Sequence, residues 1–259
     1  MPSKQERREA LKAVFEQARG CVRCSELAAA RQTVVFGAGN SDADLMFVGE
    51  APGANEDRQG LPFVGQAGKL LDRLLSDIGL ERGDVFVVNV LKCRPPGNRD
   101  PLPIEIDNCQ EYLVRQVELI EPRVVCTLGN FATKLLRGNP AGITRVHGEP
   151  EVVTIGSRAV RLYPLFHPAA ALYTPRMLQT LEEDFARIPE LLELPAPPQP
   201  DPLPSPDEMS FEPDAPDDPV PEPAAPDDRV APDDPVPEPA GSTPGAGPGA
   251  SPASQLGLF

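Results

Sequence analysis

The fold of this chain is decided by the stretch Leu45-Met46-Phe47-Val48-Gly49-Glu50-Ala51-Pro52-Gly53. Its first four residues are apolar and predict a buried strand, and the glycines and proline that follow predict a sharp turn. A glycine turn after a strand often presents N–H groups to a phosphate. Here, however, Glu50, Glu56 and Asp57 lie within one short segment, and their charges would repel an anion. The loop is therefore better suited to a neutral ligand or to activating a water molecule.

Strands and helices alternate along residues 1–194. The pattern of apolar residues predicts strands at 45–49, 84–91, 123–128 and 160–166, and helices at 4–19, 66–78, 104–120, 130–137 and 175–194. This alternation is typical of an α/β fold with a parallel sheet covered on both faces. In such folds the site lies beyond the carboxyl ends of the strands. That rule selects the loop at 49–53, the segment 89–96 and the motif His167-Pro168-Ala169.

The composition changes sharply near residue 194. Residues 195–259 hold 20 of the 34 prolines and repeat the sequence APDDPVPEPA at 215–224 and 231–240. So few apolar residues do not bury enough surface to offset the entropy of ordering, which predicts a disordered, extended acidic linker over 195–254. The formal net charge of −15 resides mostly in this segment. We expect one folded domain over residues 1–194, and we expect the protein to be a monomer.

The chain shows no signal of membrane insertion or secretion. Its N-terminus is charged, and no apolar run approaches the length of about 20 residues that spans a bilayer. We therefore expect a cytoplasmic protein. Because cytoplasmic cysteines stay reduced, the five cysteines predict metal ligands or core residues rather than disulfides.

Four of the cysteines have the spacing of a metal site. Cys21 and Cys24 form a C-x2-C pair, and a proline-rich segment separates Cys93 from Cys109. Four thiolates hold either a zinc ion or an iron–sulfur cluster, and the spacing leaves both open, as well as a purely structural role. Cys126 lies inside an apolar strand and is predicted to be a small buried hydrophobic residue.

Three motifs together resemble the family 4, or iron–sulfur, uracil-DNA glycosylases. They are Gly-Glu-Ala-Pro-Gly-x-x-Glu-Asp at 49–57 with the following Phe63, Asn89-x-x-Lys92-Cys93-Arg94-Pro95-Pro96, and His167-Pro168-Ala169. The resemblance covers about residues 10–190. It implies a three-layer α/β/α fold with a four-stranded parallel sheet and excision of uracil at the start of base excision repair. It further implies a [4Fe–4S] cluster on Cys21, Cys24, Cys93 and Cys109.

The residues of the motifs suit recognition of an extruded base. An enzyme that excises a base flips the nucleotide into a pocket and reads its edge. Phe63 would stack on the base, and the Asn89 amide would donate to uracil O4 and accept from N3–H. Backbone N–H groups around Gly49 would complete the uracil pocket. Taken alone, Phe63 would be better explained as an ordinary core residue, and Asn89 would equally suit the end of a strand.

Cleavage of the N-glycosidic bond builds negative charge on the base and positive charge on the sugar. The resemblance places His167 on uracil O2, where a neutral imidazole suffices as donor. Glu50 is predicted to position the attacking water and to face the sugar. Glu56 and Asp57 are alternatives for that role, or they cap the following turn or exclude the thymine methyl group. His147 is predicted to be structural.

The folded part is almost neutral, so DNA binding must depend on local groups. Lys92, Arg94 and Arg99 surround the Cys93 loop and are predicted to contact the phosphates. Leu172 is predicted to be the wedge that replaces the flipped base, and Arg176 a phosphate ligand.

Two other functions are considered. One is a related class that traps the abasic sugar covalently on a histidine, but that class has Gln-Pro-Gly in the first loop and a basic, histidine-bearing insertion. This chain has Ala51-Pro52-Gly53, and residues 94–108 contain no histidine. The other is an iron–sulfur redox or scaffold protein whose tail recruits partners.

The last five residues are Gln255-Leu256-Gly257-Leu258-Phe259. Exposed apolar side chains are a liability unless they bind something. The pattern resembles the Gln-Leu-x-Leu-Phe peptide with which bacterial repair and replication proteins bind the sliding clamp. We expect Gln255, Leu256, Leu258 and Phe259 to anchor the chain to that clamp at the end of a long tether.

Overall fold

The computed structural model describes residues 3–200. Its helices and strands, in chain order, are α1 Lys4–Arg19, α2 Ser25–Ala30, β1 Ala38–Gly39, β2 Leu45–Gly49, α3 Ala54–Gln59, α4 Gln66–Asp77, β3 Phe86–Asn89, α5 Pro103–Ile120, β4 Val124–Leu128, α6 Asn130–Arg137, α7 Ile143–Val146, β5 Glu151–Ile155, β6 Arg158–Leu165, α8 Pro168–Ala171, α9 Pro175–Ala186 and α10 Ile188–Glu193. A short 3-10 turn occupies Pro96–Asn98.

A single sheet forms the centre of the folded part, with strand order β1-β3-β2-β4-β6-β5. The four inner strands β3, β2, β4 and β6 are parallel, which confirms the predicted parallel core. The outer strands β1 and β5 run antiparallel to their neighbours. The sequence did not predict these two edge strands, so the sheet has six strands rather than four.

Helices cover both faces of the sheet, as predicted. Successive side chains of a strand point to opposite faces, and along β2 Val48 packs into one core while Phe47 packs into the other. The core around Val48 includes Val14 of α1 and Val117 of α5. The core around Phe47 includes helices α4, α9 and α10, and the ring of Phe185 in α9 stacks on Phe47 with centroids 5.7 Å apart. The fold therefore has three layers.

The predicted final helix over 175–194 is divided in two. It ends at Ala186, and a new helix starts at Ile188 with Pro189 as its second residue. A proline inside one continuous helix would remove a hydrogen bond and clash with the preceding turn, whereas the first turn of a new helix tolerates it. Pro189 thus gives a physical reason for the break.

Part of the predicted linker contacts the folded domain. The Gln199 amide accepts a hydrogen bond from the Ala159 N–H at 3.1 Å and donates to the Ala159 carbonyl at 3.0 Å. The rest of the linker, to residue 254, and the terminal peptide 255–259 lie outside the described residues. None of the helices within residues 3–200 combines the length and the apolar character needed to cross a bilayer.

Candidate active site

A cavity of about 370 Å³ opens where the parallel strands end. This volume is typical of a small-molecule site. Six of the residues predicted for the site line it together: Glu50, Glu56, Phe63, Asn89, Arg99 and His167. They come from the ends of β2, β3 and β6 and from the loops that follow, so the strand-end rule brings them to one edge of the sheet.

Gly49 permits the close packing at the floor of this cavity. A Cβ atom at this position would lie 2.9 Å from the Phe63 ring and would also collide with the Asn89 amide oxygen. Gly68 has a similar role, because a Cβ there would overlap the Phe63 carbonyl. The two glycines therefore allow Phe63 and Asn89 to approach the backbone closely. This close approach explains why the loop at 49–53 begins with a glycine.

Phe63 is held in an unusual conformation. Its φ is 53°, in the left-handed region that residues other than glycine rarely adopt. The Glu56 carboxylate accepts hydrogen bonds from the N–H groups of Val64 at 2.9 Å and Gly65 at 3.1 Å. Arg82 donates to the Phe63 carbonyl at 3.3 Å. These contacts fix the ring against the cavity, where it stacks on His167 with centroids 5.6 Å apart.

Asn89 is buried at the end of β3, with 2 % of its surface exposed. Its carbonyl accepts a hydrogen bond from the Lys92 ammonium at 2.7 Å. Its side-chain amide, by contrast, makes no hydrogen bond to another residue within 3–200. The amide faces the cavity, so its donors and its acceptor are available to a bound molecule. Asn89 is thus equipped to donate to and accept from a bound molecule.

His167 forms the N-cap of α8. Its Nδ1 accepts a hydrogen bond from the Ala169 N–H at 3.1 Å, so the ring proton of the neutral imidazole belongs on Nε2. Burial lowers the pKa of His167 to about 4, and the nearby Glu56 charge opposes this shift in part. The side chain is therefore a neutral and fixed N–H donor at neutral pH.

Glu50 lies between two cavities. It lines the first one and also a neighbouring cavity of about 600 Å³, which shares His167 and includes Asp100 and Lys134. Its carboxylate is half-buried and makes no hydrogen bond or ion pair with another residue in the described range. Burial, with a smaller contribution from Asp100, raises the pKa of Glu50. Such a carboxylate is free to hold water or to face a developing positive charge.

The two other acidic residues of the loop have different surroundings. Glu56 lines the cavity, but its carboxylate is engaged by the loop of Phe63. Asp57 does not line the cavity; it is 2 % exposed and accepts the N–H groups of Gln32 at 2.9 Å and Thr33 at 3.2 Å. The prediction of a catalytic or thymine-excluding role for Asp57 is therefore wrong, because its oxygens anchor another segment of backbone.

The four cysteines that are predicted to be metal ligands line one narrow cavity between α1, α2, α5 and the segment after β3. They are Cys21, Cys24, Cys93 and Cys109, and none forms a disulfide. Hydrogen bonds reach three of the sulfur atoms: from Arg31 to Cys93 at 3.0 Å, from the Lys92 N–H to Cys109 at 3.3 Å and from Asn108 to Cys24 at 3.6 Å. Burial raises the pKa of the Cys93 thiol to about 11, so a thiolate here requires a compensating positive charge.

Four cysteines around one cavity, with hydrogen-bond donors at three of the sulfur atoms, are of the ligand type that iron–sulfur clusters use. Within residues 3–200, no three His, Cys, Asp or Glu side chains converge closely enough to hold a metal ion. Cys126 lies apart from these four cysteines, fully buried in β4, as predicted.

The residues predicted to contact DNA divide into two groups. Lys92 is 1 % exposed, and its ammonium donates to Asn89 and Gln116, so the prediction that it contacts phosphates is wrong. Arg99 lines the active-site cavity, but its guanidinium pairs with Glu105 at 2.7 Å and Glu26 at 3.1 Å. Its charge is largely neutralised there.

Other basic and apolar groups remain accessible. Arg94 is partly exposed and donates to Asn98 at 2.7 Å. Leu172 is 37 % exposed and Arg176 is exposed on the first turn of α9. Sequence reasoning missed the neighbouring Tyr173, which is 87 % exposed. An aromatic residue beside a predicted wedge was a signal for it.

His147, predicted to be structural, lies outside the two cavities described above. Its Nδ1 contacts the Asp184 carboxylate at 2.8 Å, and its ring packs against Phe166 with centroids 4.6 Å apart. Sequence reasoning also missed Lys134, whose position in α6 at the second cavity follows only from the fold.

Comparison with known proteins agrees with this geometry. Residues 36–192 match the model of the uracil DNA glycosylase superfamily. A type-4 uracil-DNA glycosylase of Sulfurisphaera tokodaii is 46 % identical over 188 residues, which cover 71 % of this chain and 85 % of the relative. The chain belongs to the type-4 uracil-DNA glycosylases. It is thus an enzyme of the glycosylase class, which hydrolyses N-glycosidic bonds.

Relatives from other organisms have the same family name. The type-4 uracil-DNA glycosylase of Archaeoglobus fulgidus is 44 % identical, covering 71 % of this chain and 94 % of the relative. That of Thermotoga maritima is 43 % identical, covering 64 % of this chain and 85 % of the relative. These matches span most of each relative.

Proposed function

We propose that this chain excises uracil from DNA by flipping the nucleotide into the cavity at the strand ends and hydrolysing its N-glycosidic bond. The observation that carries the proposal is a cavity at one sheet edge lined by the Asn89 amide, which has no hydrogen-bond partner within residues 3–200, a fixed neutral His167 donor and the flat ring of Phe63. A planar, uncharged base is complementary to these three groups.

Asn89 reads the edge of the base. Its amide donates to uracil O4 and accepts from N3–H, whereas cytosine offers a donor and an acceptor in the reverse order. A base with the reverse pattern displaces water from the amide without replacing its hydrogen bonds, and this costs binding free energy. Phe63 stacks on the face of the base, and the backbone at Gly49 closes the floor.

His167 and Glu50 act on opposite sides of the bond that breaks. The Nε2–H of His167 donates to uracil O2 and stabilises the negative charge of the departing base. Glu50 holds the attacking water and stabilises the positive charge on the sugar. Its place between the two cavities supports this role, since one cavity takes the base and the other has room for sugar and water.

An oligonucleotide with one uracil tests the proposal. Incubation, alkaline treatment and a sizing gel should show turnover cleavage with the uracil strand and none with the matching cytosine strand. A stable protein–DNA adduct without turnover would instead indicate covalent trapping of the abasic sugar. Absence of any reaction would favour a redox or scaffold protein.

The cofactor we propose is a [4Fe–4S] cluster held by Cys21, Cys24, Cys93 and Cys109. Cys21 and Cys24 next to α2 and Cys109 in α5 would be tied through the cluster to Cys93, which lies four residues after Asn89 at the end of β3. Protein purified without oxygen should be brown and contain about four irons per chain. Stoichiometric zinc in a colourless, active preparation would contradict the assignment.

DNA contact is proposed to come from Arg94, Leu172 and Arg176, which are partly or fully exposed, and from Arg99, which lines the cavity. Leu172 enters the space left by the flipped base, and the arginines face phosphates. Replacing Leu172 with alanine should slow excision from double-stranded DNA more than from single-stranded DNA, because only the duplex needs a wedge.

For the tail, we propose an enzyme domain at 1–194, an acidic linker at 195–254 and a sliding-clamp-binding peptide at 255–259. Support comes from the sequence alone: Gln255, Leu256, Leu258 and Phe259 end a tether that otherwise has few apolar residues. Removing 255–259 should abolish binding to the clamp in calorimetry and leave excision from a short oligonucleotide unchanged. Equal clamp affinity with and without the peptide would refute this part.

A further inference from the structure

Lys92 is a lysine in an unusual place. Its side chain is almost fully buried, and its ammonium donates to the Asn89 carbonyl at 2.7 Å and to Gln116 Oε1 at 2.6 Å. Gln116 is held in turn, because its amide donates to the Phe36 carbonyl at 2.9 Å. A buried ammonium is costly and is retained only where its surroundings compensate the charge. Two neutral acceptors are weak compensation.

The same residue borders the cysteine cavity. Its backbone N–H donates to Cys109 Sγ at 3.3 Å, it immediately precedes Cys93, and it lines the cavity with all four cysteines. As ligands of the proposed cluster, the cysteines would be thiolates, and their negative charge would supply the compensation that the neutral acceptors lack. Lys92 therefore belongs to the cysteine site on one side and to Asn89 on the other.

Asn89 depends on its backbone for its orientation. Its side-chain amide has no hydrogen-bond partner within residues 3–200, so packing and the position of the strand end determine where the amide points. The Lys92 ammonium holds the Asn89 carbonyl through its hydrogen bond. The next residue, Val90, donates its N–H to the Gly49 carbonyl at 2.9 Å and so continues the pairing of β3 with β2. A shift of this carbonyl would move the amide in the cavity.

We propose that Lys92 is a positioning residue that couples the cysteine site to base recognition by holding Asn89. The inference rests on the proposed function, since it assigns Lys92 an effect through the residue that reads the base. It replaces the DNA contact that the sequence predicted for this lysine. The coupling explains why the Asn89 and Cys93 motifs share one short segment of chain.

A double-mutant cycle tests the link to Asn89. Lys92→Met keeps the length of the side chain and removes its charge and donors. In the holoenzyme, we expect it to lower the single-turnover excision rate roughly tenfold, and by less than about twofold when Asn89→Ala is already present. Tyr163→Phe is the matched control, because it removes a buried donor to the Asp184 carbonyl far from both sites. Its effect should be equal in both backgrounds.

Release of iron to a chelator tests the link to the cysteines. Lys92→Met should lose iron several-fold faster than Tyr163→Phe, measured at equal distances below their melting temperatures. If Lys92→Met does not fold, Gln116→Leu, which removes one acceptor of the ammonium, takes its place in both experiments. Additive losses in the cycle, or equal iron release, would overturn the coupling. If Asn89→Ala alone had no effect, the assignment of base recognition would fail instead.

Discussion

The active-site cavity and the cysteine cavity lie on either side of the segment 89–93, yet they differ in whether protein groups form hydrogen bonds to their polar side chains. In the active site, the Asn89 amide at the end of β3 and the Glu50 carboxylate just after β2 have no hydrogen-bond partner within residues 3–200. At the cysteines, N–H donors from Arg31, Lys92 and Asn108 already contact the sulfur atoms.

The difference follows from what each cavity is proposed to hold. A substrate that enters and leaves must find donors and acceptors that no protein group has satisfied, because breaking an internal hydrogen bond would weaken binding. A permanent cofactor is best held by ligands whose surroundings are complete. Substitutions in the first cavity should therefore lower activity without loss of the cofactor, and substitutions of the cysteines in the second should lower stability and cofactor content.

The largest effect is expected for His167→Ala. Loss of a fixed donor to a developing anion should reduce single-turnover excision roughly 100- to 1000-fold, without loss of iron. His147→Ala is the matched control, since the chain has two histidines and His147 pairs with Asp184 outside both cavities. Full activity of the His167 variant in the gel assay would remove this residue from the mechanism.

Cys93→Ser should show most clearly how the cysteine cavity differs from the active site. We expect a lower iron content, a lower melting temperature and poor solubility, because the variant loses a ligand of the proposed cluster. Cys126→Ser, at a buried cysteine on the other face of the sheet from the proposed cluster, should keep its iron even where packing suffers. Iron analysis and thermal melts of the two variants side by side make the comparison. Equal iron in both would argue against Cys93 as a ligand.

Much of this arrangement was predictable from sequence. The run Leu45–Gly49 reads as a strand because it is apolar throughout, and the strand-end rule then collects Glu50, Asn89 and His167 at one edge. The hairpin between β5 and β6 was missed, although its two-residue turn at Gly156-Ser157 is a hairpin signal.

Other features depend on tertiary contacts that no local pattern shows. A lysine beside a cysteine motif is normally exposed, so the burial of Lys92 appears only once α5 brings Gln116 to it. Glu56 and Asp57 are adjacent in sequence, but the helix points one toward the cavity and the other toward Gln32. Spacing alone does not distinguish them.

Asn89→Ala should have a smaller effect than loss of His167. We expect excision of uracil to fall roughly 10- to 100-fold and discrimination against cytosine to weaken, because the amide contributes to binding the correct base. Asn139→Ala, at an exposed asparagine, is the control. Single-turnover rates on paired uracil and cytosine oligonucleotides give the ratio. An unchanged ratio would show that another group reads the base.

The dependence of excision on pH gives the smallest and most specific effect. Because the pKa of His167 is lowered to about 4, this residue should produce no inflection near its ordinary value of 6.5. The pKa of Glu50 is raised above 4.5, so activity should fall as acidification protonates Glu50. In Glu50→Gln, the residual rate should lose this acid limb. A limb that persists in Glu50→Gln and disappears in a His167 variant would reverse the assignment.

The lowered pKa of His167 also makes the stability of the folded protein depend on pH. The unfolded chain takes up a proton at His167 near pH 6.5, whereas the folded protein resists protonation until about 4. The free energy of unfolding should therefore decrease as the pH falls through this window. Denaturant titrations of the enzyme and of His167→Gln between these values should show a shallower slope for the variant.

The central claim is that the active site presents a neutral, pre-oriented donor at His167, and nitrogen NMR of the histidine-labelled enzyme tests it most directly. Only two imidazoles are present, and His147→Gln assigns the signals. We predict that His167 is the Nε2–H tautomer and remains neutral on acidification until the pH approaches 4. Titration near 6.5, or a proton on Nδ1, would contradict the account.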